Sequence, residues 1–331
     1  MKKTHLDIWA KEIIKKTGFI LDKEIYRGNY YSPNKIRNLI FDGHYKKKSA
    51  ILKLYDDPRL TDEPVAQDNF NKNNKSKILK APQIYRYQMV SLKKGWLIME
   101  KLPENGFFLK QPLNPSDRKE FLELYLEYRK KSPNRSTRQL VLVENLPAHQ
   151  FHILRINHWF QLANDKEAEL IMAGKTPVLK PKDFIPKYEK CLKLINKEFK
   201  NRKMIWCHGH FKPHEIFKVP ETKTYYLTDF AHSKMYPEGY ESAFIIWADW
   251  IMHADWRMNY AKWKKGIDDW LWELQPIAKE LKIKNFHSLM KASLVERSLG
   301  TILADICATD RPRKEKEKRI TLLYRLLKDC I

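Results

Sequence analysis

The chain has 331 residues and a formal net charge of +23, from 63 lysines and arginines against 40 acidic residues. Its apolar content of 43% and aromatic content of 12% exclude an intrinsically disordered chain, and its ten glycines argue against glycine-rich architectures. The charge favours anionic partners such as nucleotides, phosphorylated metabolites, nucleic acid or anionic membrane, although a lysine-rich proteome would give the same value.

The first hundred residues predict a helix followed by an antiparallel sheet. Apolar residues recur at helical spacing between residues 4 and 17, which predicts a helix there. Five strand-like stretches follow, with a polar helix inserted at 63–79. The predicted strands cover residues 19–29, 35–43, 48–57, 81–92 and 94–103.

After Pro103 the pattern becomes mainly helical. A helix-start signal at 114–116 opens an amphipathic stretch, and apolar helical segments dominate from residue 240 onward. Further predicted helices cover residues 114–132, 148–173 and 181–200.

A dense polar loop separates these helices from a predicted hairpin. The loop "HGHFKPHE" at 208–215 carries three histidines and a glutamate, and the hairpin strands cover 215–219 and 224–230. Loops that carry such chemistry between apolar strands are usually functional sites. Asp229 ends the second strand, where a solvated aspartate has no structural need to be, although a capping or turn role is the alternative. We therefore expect a site that combines this loop with Asp229.

Cysteine spacing and hydropathy exclude several protein classes. The four cysteines contain no CxxC pair, so neither a zinc ribbon nor a dithiol redox site is indicated. The N-terminal segment lacks the apolar core of a signal peptide, and no apolar run approaches the roughly 18 residues of a membrane span. We expect a cytoplasmic protein without a membrane partner.

The loop and hairpin resemble those of the aminoglycoside phosphotransferase and choline kinase family. In that family the loop typically reads H-G-D-x-x-x-x-N and a strand ending in D-F-G follows. Here the loop is "HGHFKPHE" at 208–215 and the strand end is "TDFA" at 228–231. The resemblance implies an α+β, bilobal protein-kinase-like fold. Residues 1–102 would form the small antiparallel-sheet lobe that binds nucleotide, and residues 103–331 the helical lobe with the catalytic loop and metal hairpin.

The loop departs from the family pattern at two positions. His210 stands where the family has its catalytic aspartate, and Glu215 stands where it has a metal-binding asparagine. Only Asp229 keeps the expected residue type. Glutamate retains an oxygen ligand, so the resemblance implies that Glu215 and Asp229 hold Mg²⁺. A neutral imidazole, with an ordinary pKa of about 6.5, can orient an acceptor hydroxyl and take its proton, which implies slow transfer that rises with pH.

The resemblance also assigns the phosphate-binding lysine to Lys53, in the alternating stretch "SAILKLY". The alternative is a surface lysine on an edge strand. Glu63 and Asp68 are both candidates for its acidic partner, and the family's spacing favours Asp68.

Four more positions are implied to contact the nucleotide. Gly28 lies in the candidate phosphate-covering loop at 26–38, which could equally be an ordinary hairpin. Met99, Glu100 and Leu102 lie in the connector between the lobes.

Two polar residues have structural roles in this interpretation. The resemblance implies that His208 hydrogen-bonds the backbone around the loop and that Glu241, which matches the family's structural aspartate, braces it. We expect His214 to be exposed.

The function that follows is transfer of phosphate from ATP or GTP, with Mg²⁺, to a hydroxyl group of a small molecule. The altered loop leaves an alternative, a nucleotide-binding pseudokinase with a regulatory or scaffold role. No motif identifies the acceptor or predicts an oligomeric state.

Two further interpretations remain open from the residues themselves. His208, His210 and His214 have the spacing H-x-H-x-x-x-H, which could bind zinc or iron in a metallohydrolase. The net charge alone could drive nucleic-acid binding, but no recognised motif supports it, so no specific nucleic-acid partner is predicted.

Overall fold

A computed structural model describes residues 4–28, 36–57, 60, 62–132, 148–165, 172–173, 176–177, 181–308 and 311–331. Its helices are α1 (His5–Thr17), α2 (Glu63–Asn73), α3 (Pro115–Lys131), α4 (Ala148–Asp165), α5 (Pro181–Lys200), α6 (Tyr240–Ile246), α7 (Tyr260–Glu280), α8 (Phe286–Cys307) and α9 (Arg313–Cys330). None of the helices in these ranges combines the length and the apolar content of a bilayer-crossing helix.

Most strands are short. They are β1 (Ile20–Gly28), β2 (Asn38–Tyr45), β3 (Lys48–Asp56), β4 (Leu79–Lys80), β5 (Ile84–Met89), β6 (Lys94–Glu100), β7 (Phe107–Phe108), β8 (Met172–Ala173), β9 (Thr176–Pro177), β10 (Met204–Cys207), β11 (Ile216–Val219), β12 (Thr224–Leu227) and β13 (Lys234–Pro237). Two 3₁₀ turns flank the hairpin, at Pro213–Glu215 and Phe230–His232.

The chain forms two compact units. The first comprises Met1–Leu109, Glu127–Glu144 and Trp206–Lys234, and the second comprises Lys110–Leu126, Asn145–Ile205 and Met235–Ile331. The first unit therefore contains the N-terminal sheet together with the polar loop and its hairpin. A lobe boundary near residue 102 stays a prediction.

Helix α1 begins at a capping box. The Thr4 hydroxyl accepts a hydrogen bond from the backbone N–H of Asp7 (3.4 Å), and the Asp7 carboxylate accepts one from the backbone N–H of Thr4 (2.7 Å). The helix ends at Gly18, whose φ of 73° is a left-handed conformation that favours glycine. Its buried face packs against one face of the sheet, in a core formed by Leu6, Trp9, Ala10, Ile13, Phe19, Leu39, Phe41, Tyr45, Ala50, Leu52, Leu54, Trp96 and Ile98.

The N-terminal sheet has five strands in the order β1-β2-β3-β6-β5, and every neighbouring pair is antiparallel. Side chains alternate along the central strand β3. Leu52 and Leu54 belong to the core against α1, whereas Lys53 and Tyr55 lie on the opposite face. The predicted antiparallel sheet with one inserted helix is confirmed.

A second sheet, in the order β4-β12-β11-β7, contains the predicted hairpin. Strands β11 and β12 pair antiparallel, with Ile216 opposite Leu227. This register sets Glu215 beside Thr228 at the open end of the hairpin, where the Thr228 N–H donates to the Glu215 carbonyl (3.0 Å). Asp229 follows directly.

Two predicted helices differ from the structure at their C-terminal ends. Helix α2 ends at Asn73 rather than near 79, because Asn74 hydrogen-bonds the backbone of Ser76 (3.0 Å) and Leu79 (2.6 Å) and so favours a turn. Among the described residues, helix α4 covers Ala148–Asp165, and the end of the predicted helix at 172–173 is strand instead. There the short strand β8 pairs with β9, an interaction that an apolar pattern does not reveal.

The second unit contains a buried polar network centred on Glu296. His152 Nδ1–H donates to one carboxylate oxygen (3.1 Å), Tyr240 donates to the other (2.6 Å), and Arg155 pairs with the first. Burial raises the pKa of Glu296, but the charges of Arg155 and Arg297 outweigh burial. The net pKa of Glu296 lies well below its ordinary value. Burial lowers the pKa of His152 to about 4. The network is therefore ionised at Glu296 and neutral at His152 near pH 7.

Acidification should destabilise the fold through His152. A histidine whose pKa is about 6.5 when unfolded and about 4 when folded binds its proton preferentially in the unfolded chain. The contribution of neutral His152 to the free energy of unfolding is therefore complete above pH 6.5. This contribution, on the order of 3 kcal/mol, is lost as the pH falls towards 4. Free energies of unfolding from denaturant titrations should show a shallower pH slope in His152→Asn over this window. His158→Asn, an exposed histidine on the same helix, is the control, and equal slopes in all three proteins would contradict this expectation.

Candidate functional site

Lys53 is buried on the central strand β3, so the alternative of a surface lysine on an edge strand is wrong. Its ammonium group lies 2.6 Å from Oε2 of Glu63, in the first turn of helix α2. Glu63 is therefore the acidic partner. The preference for Asp68 is wrong, because Asp68 pairs with Lys72 one turn further along the same helix.

The Lys53–Glu63 pair is electrostatically linked to Asp229. Burial raises the pKa of Glu63, Lys53 lowers it, and the negative charge of Asp229 raises it again, with a net increase. Lys53 in turn lowers the pKa of Asp229. The structure therefore brings the predicted lysine and the predicted metal ligand within electrostatic reach of each other.

The loop after β10 is fixed by His208. This side chain is fully buried, its Nε2–H donates to the Thr228 carbonyl (2.8 Å), and its Nδ1 accepts from the backbone N–H of His210 (3.3 Å). Both nitrogens are used in the neutral form, and burial lowers the pKa of His208 to about 4. The next residue, Gly209, has a φ of 80°, which favours glycine at this turn.

Aromatic residues hold this loop, among them the phenylalanine of the "TDFA" motif. Tyr128 accepts a hydrogen bond from the backbone N–H of His208 (2.8 Å), and its ring stacks on Phe211 at 4.8 Å. Phe230 packs edge-on against His208 (4.7 Å), and its ring is tilted by 53° against Phe70 of helix α2 (5.2 Å). Through Phe230, which follows Asp229, the loop therefore packs against the helix that carries Glu63.

Glu215 lies at the open end of the hairpin among polar partners. Lys212 is 3.0 Å from its Oε1, and the Thr228 hydroxyl donates to its Oε2 (3.1 Å). Burial, and then the charge of Asp229, raise the pKa of Glu215 to about 7 despite Lys212. The two carboxylates therefore repel each other.

Asp229 adopts a left-handed backbone conformation, with φ 55° and ψ 64°. Aspartate tolerates this region better than most non-glycine residues. Although burial raises the pKa of Asp229, the nearby His210 imidazole and the charges of Lys53 and His232 lower it to well below its ordinary value. The group is an anion at neutral pH.

His210 lies against Asp229 and His232. Its Nδ1 is 3.6 Å from the Asp229 carboxylate, and its ring stacks on His232 with centroids 3.4 Å apart and planes at 19°. The three side chains are all half-buried. His232 was missed from the sequence, although a second polar residue three positions after Asp229 in "TDFAHS" was a signal for it.

The histidine triplet considered for a metallohydrolase does not assemble. His208 is buried and hydrogen-bonded through both ring nitrogens, and His214 is exposed, as expected. In the part of the chain that the structure describes, the group of histidine and acidic side chains close enough to share a metal ion is His210, Asp229 and His232.

The connector residues lie at the end of strand β6. Met99 packs against the cluster that contains Tyr55 on the Lys53 face of the sheet. The Glu100 carboxylate accepts from the backbone N–H of Gln83 (2.9 Å), and Leu102 is half-buried. Their contact with a nucleotide stays a prediction.

Gly28 ends strand β1, and a Cβ atom there would collide with the Asn38 side chain. The close packing of β1 on β2 is therefore a sufficient reason for this glycine. Residues 29–35 of the candidate phosphate-covering loop lie outside the described residues.

Glu241 belongs to the second unit, where it is fully buried in the first turn of helix α6. An acidic residue at this end of a helix is favoured by the helix dipole. Its proposed bracing of the loop stays a prediction.

Comparison with known sequences found nothing, since no family model and no curated protein matches the chain. Solved structures do match over almost the whole chain. A thermostable mutant of the aminoglycoside phosphotransferase APH(4)-Ia, in a ternary complex with ADP and hygromycin B, is 11% identical with a TM-score of 0.61, covering 96% of this chain and 97% of its own.

Two further matches are small-molecule kinases by name. Ethanolamine kinase from Plasmodium vivax is 16% identical with a TM-score of 0.57, covering 100% of this chain and 92% of its own. Choline kinase LicA from Streptococcus pneumoniae is 11% identical with a TM-score of 0.54, covering 98% and 100%. Identities this low establish a shared fold. The chain therefore has the kinase-like fold of aminoglycoside phosphotransferases and choline kinases, with an antiparallel-sheet N-terminal region and a mostly helical C-terminal region, as its motifs predict.

Proposed function

We propose that this protein transfers a phosphoryl group from ATP or GTP to a hydroxyl group of a small molecule. The observation that carries this proposal is the buried Lys53–Glu63 ion pair, in electrostatic reach of Asp229. Phosphoryl transfer depends mainly on positioning and charge neutralisation, and a fixed lysine beside a metal-binding carboxylate supplies both. The complex of the aminoglycoside phosphotransferase with ADP and hygromycin B supports the same pairing of nucleotide and small-molecule acceptor.

Each residue has a defined task in this proposal. Glu63 holds the Lys53 ammonium group where it can contact the phosphates of the nucleotide. Glu241 braces the loop, and Gly28 with the connector residues Met99, Glu100 and Leu102 contacts the rest of the nucleotide. A cytoplasmic location fits such a substrate.

Mg²⁺ fits the carboxylates at the end of the hairpin. Glu215 and Asp229 offer the oxygen ligands that Mg²⁺ prefers. Burial and the charge of Asp229 raise the pKa of Glu215, and a dication held by both would remove that repulsion. When bound, the ion neutralises charge on the phosphates of the nucleotide.

His210 is the proposed proton acceptor. With Nδ1–H directed at the Asp229 carboxylate, the neutral ring keeps its lone pair on Nε2. As the acceptor oxygen forms its bond to the γ-phosphorus, the bond from that phosphorus to the leaving nucleoside diphosphate breaks, and the hydroxyl proton passes to Nε2. A general base whose orientation is fixed by a carboxylate is a recurring catalytic arrangement.

A nucleotide-binding pseudokinase is the second candidate. The contact of His210 with Asp229 and its stacking on His232 favour it, because they direct the ring toward the metal-binding carboxylate. In that case the chain would bind nucleotide without transferring phosphate.

Nucleotide should stabilise the wild-type protein through Lys53. Saturating ATP or GTP with Mg²⁺ should raise the melting temperature, since a ligand at a hundredfold excess over its Kd stabilises the folded state by about 2.7 kcal/mol. Lys53→Met should lose most of this increase, because the substitution removes the cation for the phosphates. Lys72→Met, which removes a lysine paired with Asp68 at the exposed side of α2, should keep the full increase. An undiminished increase in Lys53→Met would contradict the proposed nucleotide site.

Substitution of His210 separates the two candidate functions. If His210 accepts the proton, His210→Ala should reduce transfer to a panel of small hydroxyl acceptors by roughly 10²–10⁴-fold, and His210→Asp should retain much more activity. Nucleotide-induced stabilisation should be similar in all three proteins. An inactive wild type together with an active His210→Asp would assign the pseudokinase function instead.

A further inference from the structure

His210, Asp229 and His232 form a compact group of nitrogen and oxygen donors, the histidine–aspartate cluster. One donor atom from each side chain lies within 4.8 Å of the donors of the other two. The two imidazole rings are stacked at 3.4 Å, and Nδ1 of His210 is 3.6 Å from the carboxylate.

These separations suit one small metal ion. Two nitrogens bound to zinc at 2.0–2.1 Å in tetrahedral geometry are about 3.3 Å apart. The donors of the histidine–aspartate cluster lie within 4.8 Å of one another, so side-chain rotations that shorten these distances by roughly 1–2 Å would bring them to coordination distance of a shared ion. We propose that this cluster binds a transition-metal dication, with Zn²⁺ as its representative.

The donor types decide the class of metal. Two imidazoles with one carboxylate suit Zn²⁺, Co²⁺ or Ni²⁺, whereas Mg²⁺ prefers oxygen donors throughout. Three protein ligands leave a fourth position for water, as in open zinc sites. All three side chains are half-buried, so an ion can reach them from solvent.

This inference does not rest on the proposed function, because it requires neither nucleotide nor acceptor. It does have a consequence for that function. A neutral imidazole that binds a metal through one nitrogen carries its proton on the other, so metal-bound His210 cannot accept a proton. Bound Zn²⁺ therefore suppresses phosphoryl transfer.

The test is titration of the full-length protein with Zn²⁺ by calorimetry, without nucleotide or Mg²⁺. Wild type should bind one equivalent, and His232→Asn should lose at least tenfold in affinity. His214→Asn, which alters an exposed histidine outside the cluster, should bind as wild type does. Co²⁺ in place of Zn²⁺ should give visible absorption without thiolate charge-transfer bands, which separates this site from the cysteines.

Three results would contradict zinc binding by the histidine–aspartate cluster. Absence of a stoichiometric zinc site, equal affinities in His232→Asn and wild type, or thiolate bands with Co²⁺ would each overturn the proposal. Circular dichroism establishes that His232→Asn is folded, and His210→Asn serves as the second variant if it is not. Zinc binding, together with no transfer by the zinc-free protein assayed with Mg²⁺, would refute the proposed function alone. Transfer with Mg²⁺ in a protein that binds no zinc would refute this inference alone.

Discussion

The buried ion pair between Lys53 and Glu63 is the constraint around which the first unit is organised. Removing two charges from water is costly, and their mutual attraction often fails to offset that cost. Here a further negative charge lies close to the pair, because Asp229 raises the pKa of Glu63 and also that of Glu215. A site with one buried lysine and three neighbouring carboxylates is therefore unfavourable by itself. Its electrostatics improve when a cation binds among these carboxylates.

The scaffold around this pair is built from simple local rules. The alternation of β3 sends Leu52 and Leu54 to the core against α1, which leaves Lys53 on the opposite face. The 3₁₀ turn before β11 and the register of the hairpin set Glu215 beside Thr228, with Asp229 one residue beyond. Phe230 then contacts both His208 and Phe70. It therefore links the loop to the helix that supplies Glu63, within the first unit.

The elements of this fold were predictable where periodicity or turn chemistry was strong. The capped helix α1, the five-stranded sheet and the hairpin all follow from local patterns of apolar and turn residues. The partner of Lys53 was not predictable in the same way, because spacing along a helix does not say which acid faces the sheet. His232 was not found either, since its importance comes from stacking on His210. Contacts between side chains from separate turns are not reflected in the spacing or hydropathy of residues along the sequence.

The backbone of Asp229 also limits which residues this position can accept. At φ 55° and ψ 64°, a residue with a Cβ atom is strained, and glycine, asparagine and aspartate carry the smallest penalty. Alanine would therefore remove the carboxylate and strain the turn at the same time, whereas asparagine removes the charge and keeps the shape. A homologue without a negative charge at this position would therefore most readily carry asparagine or glycine there.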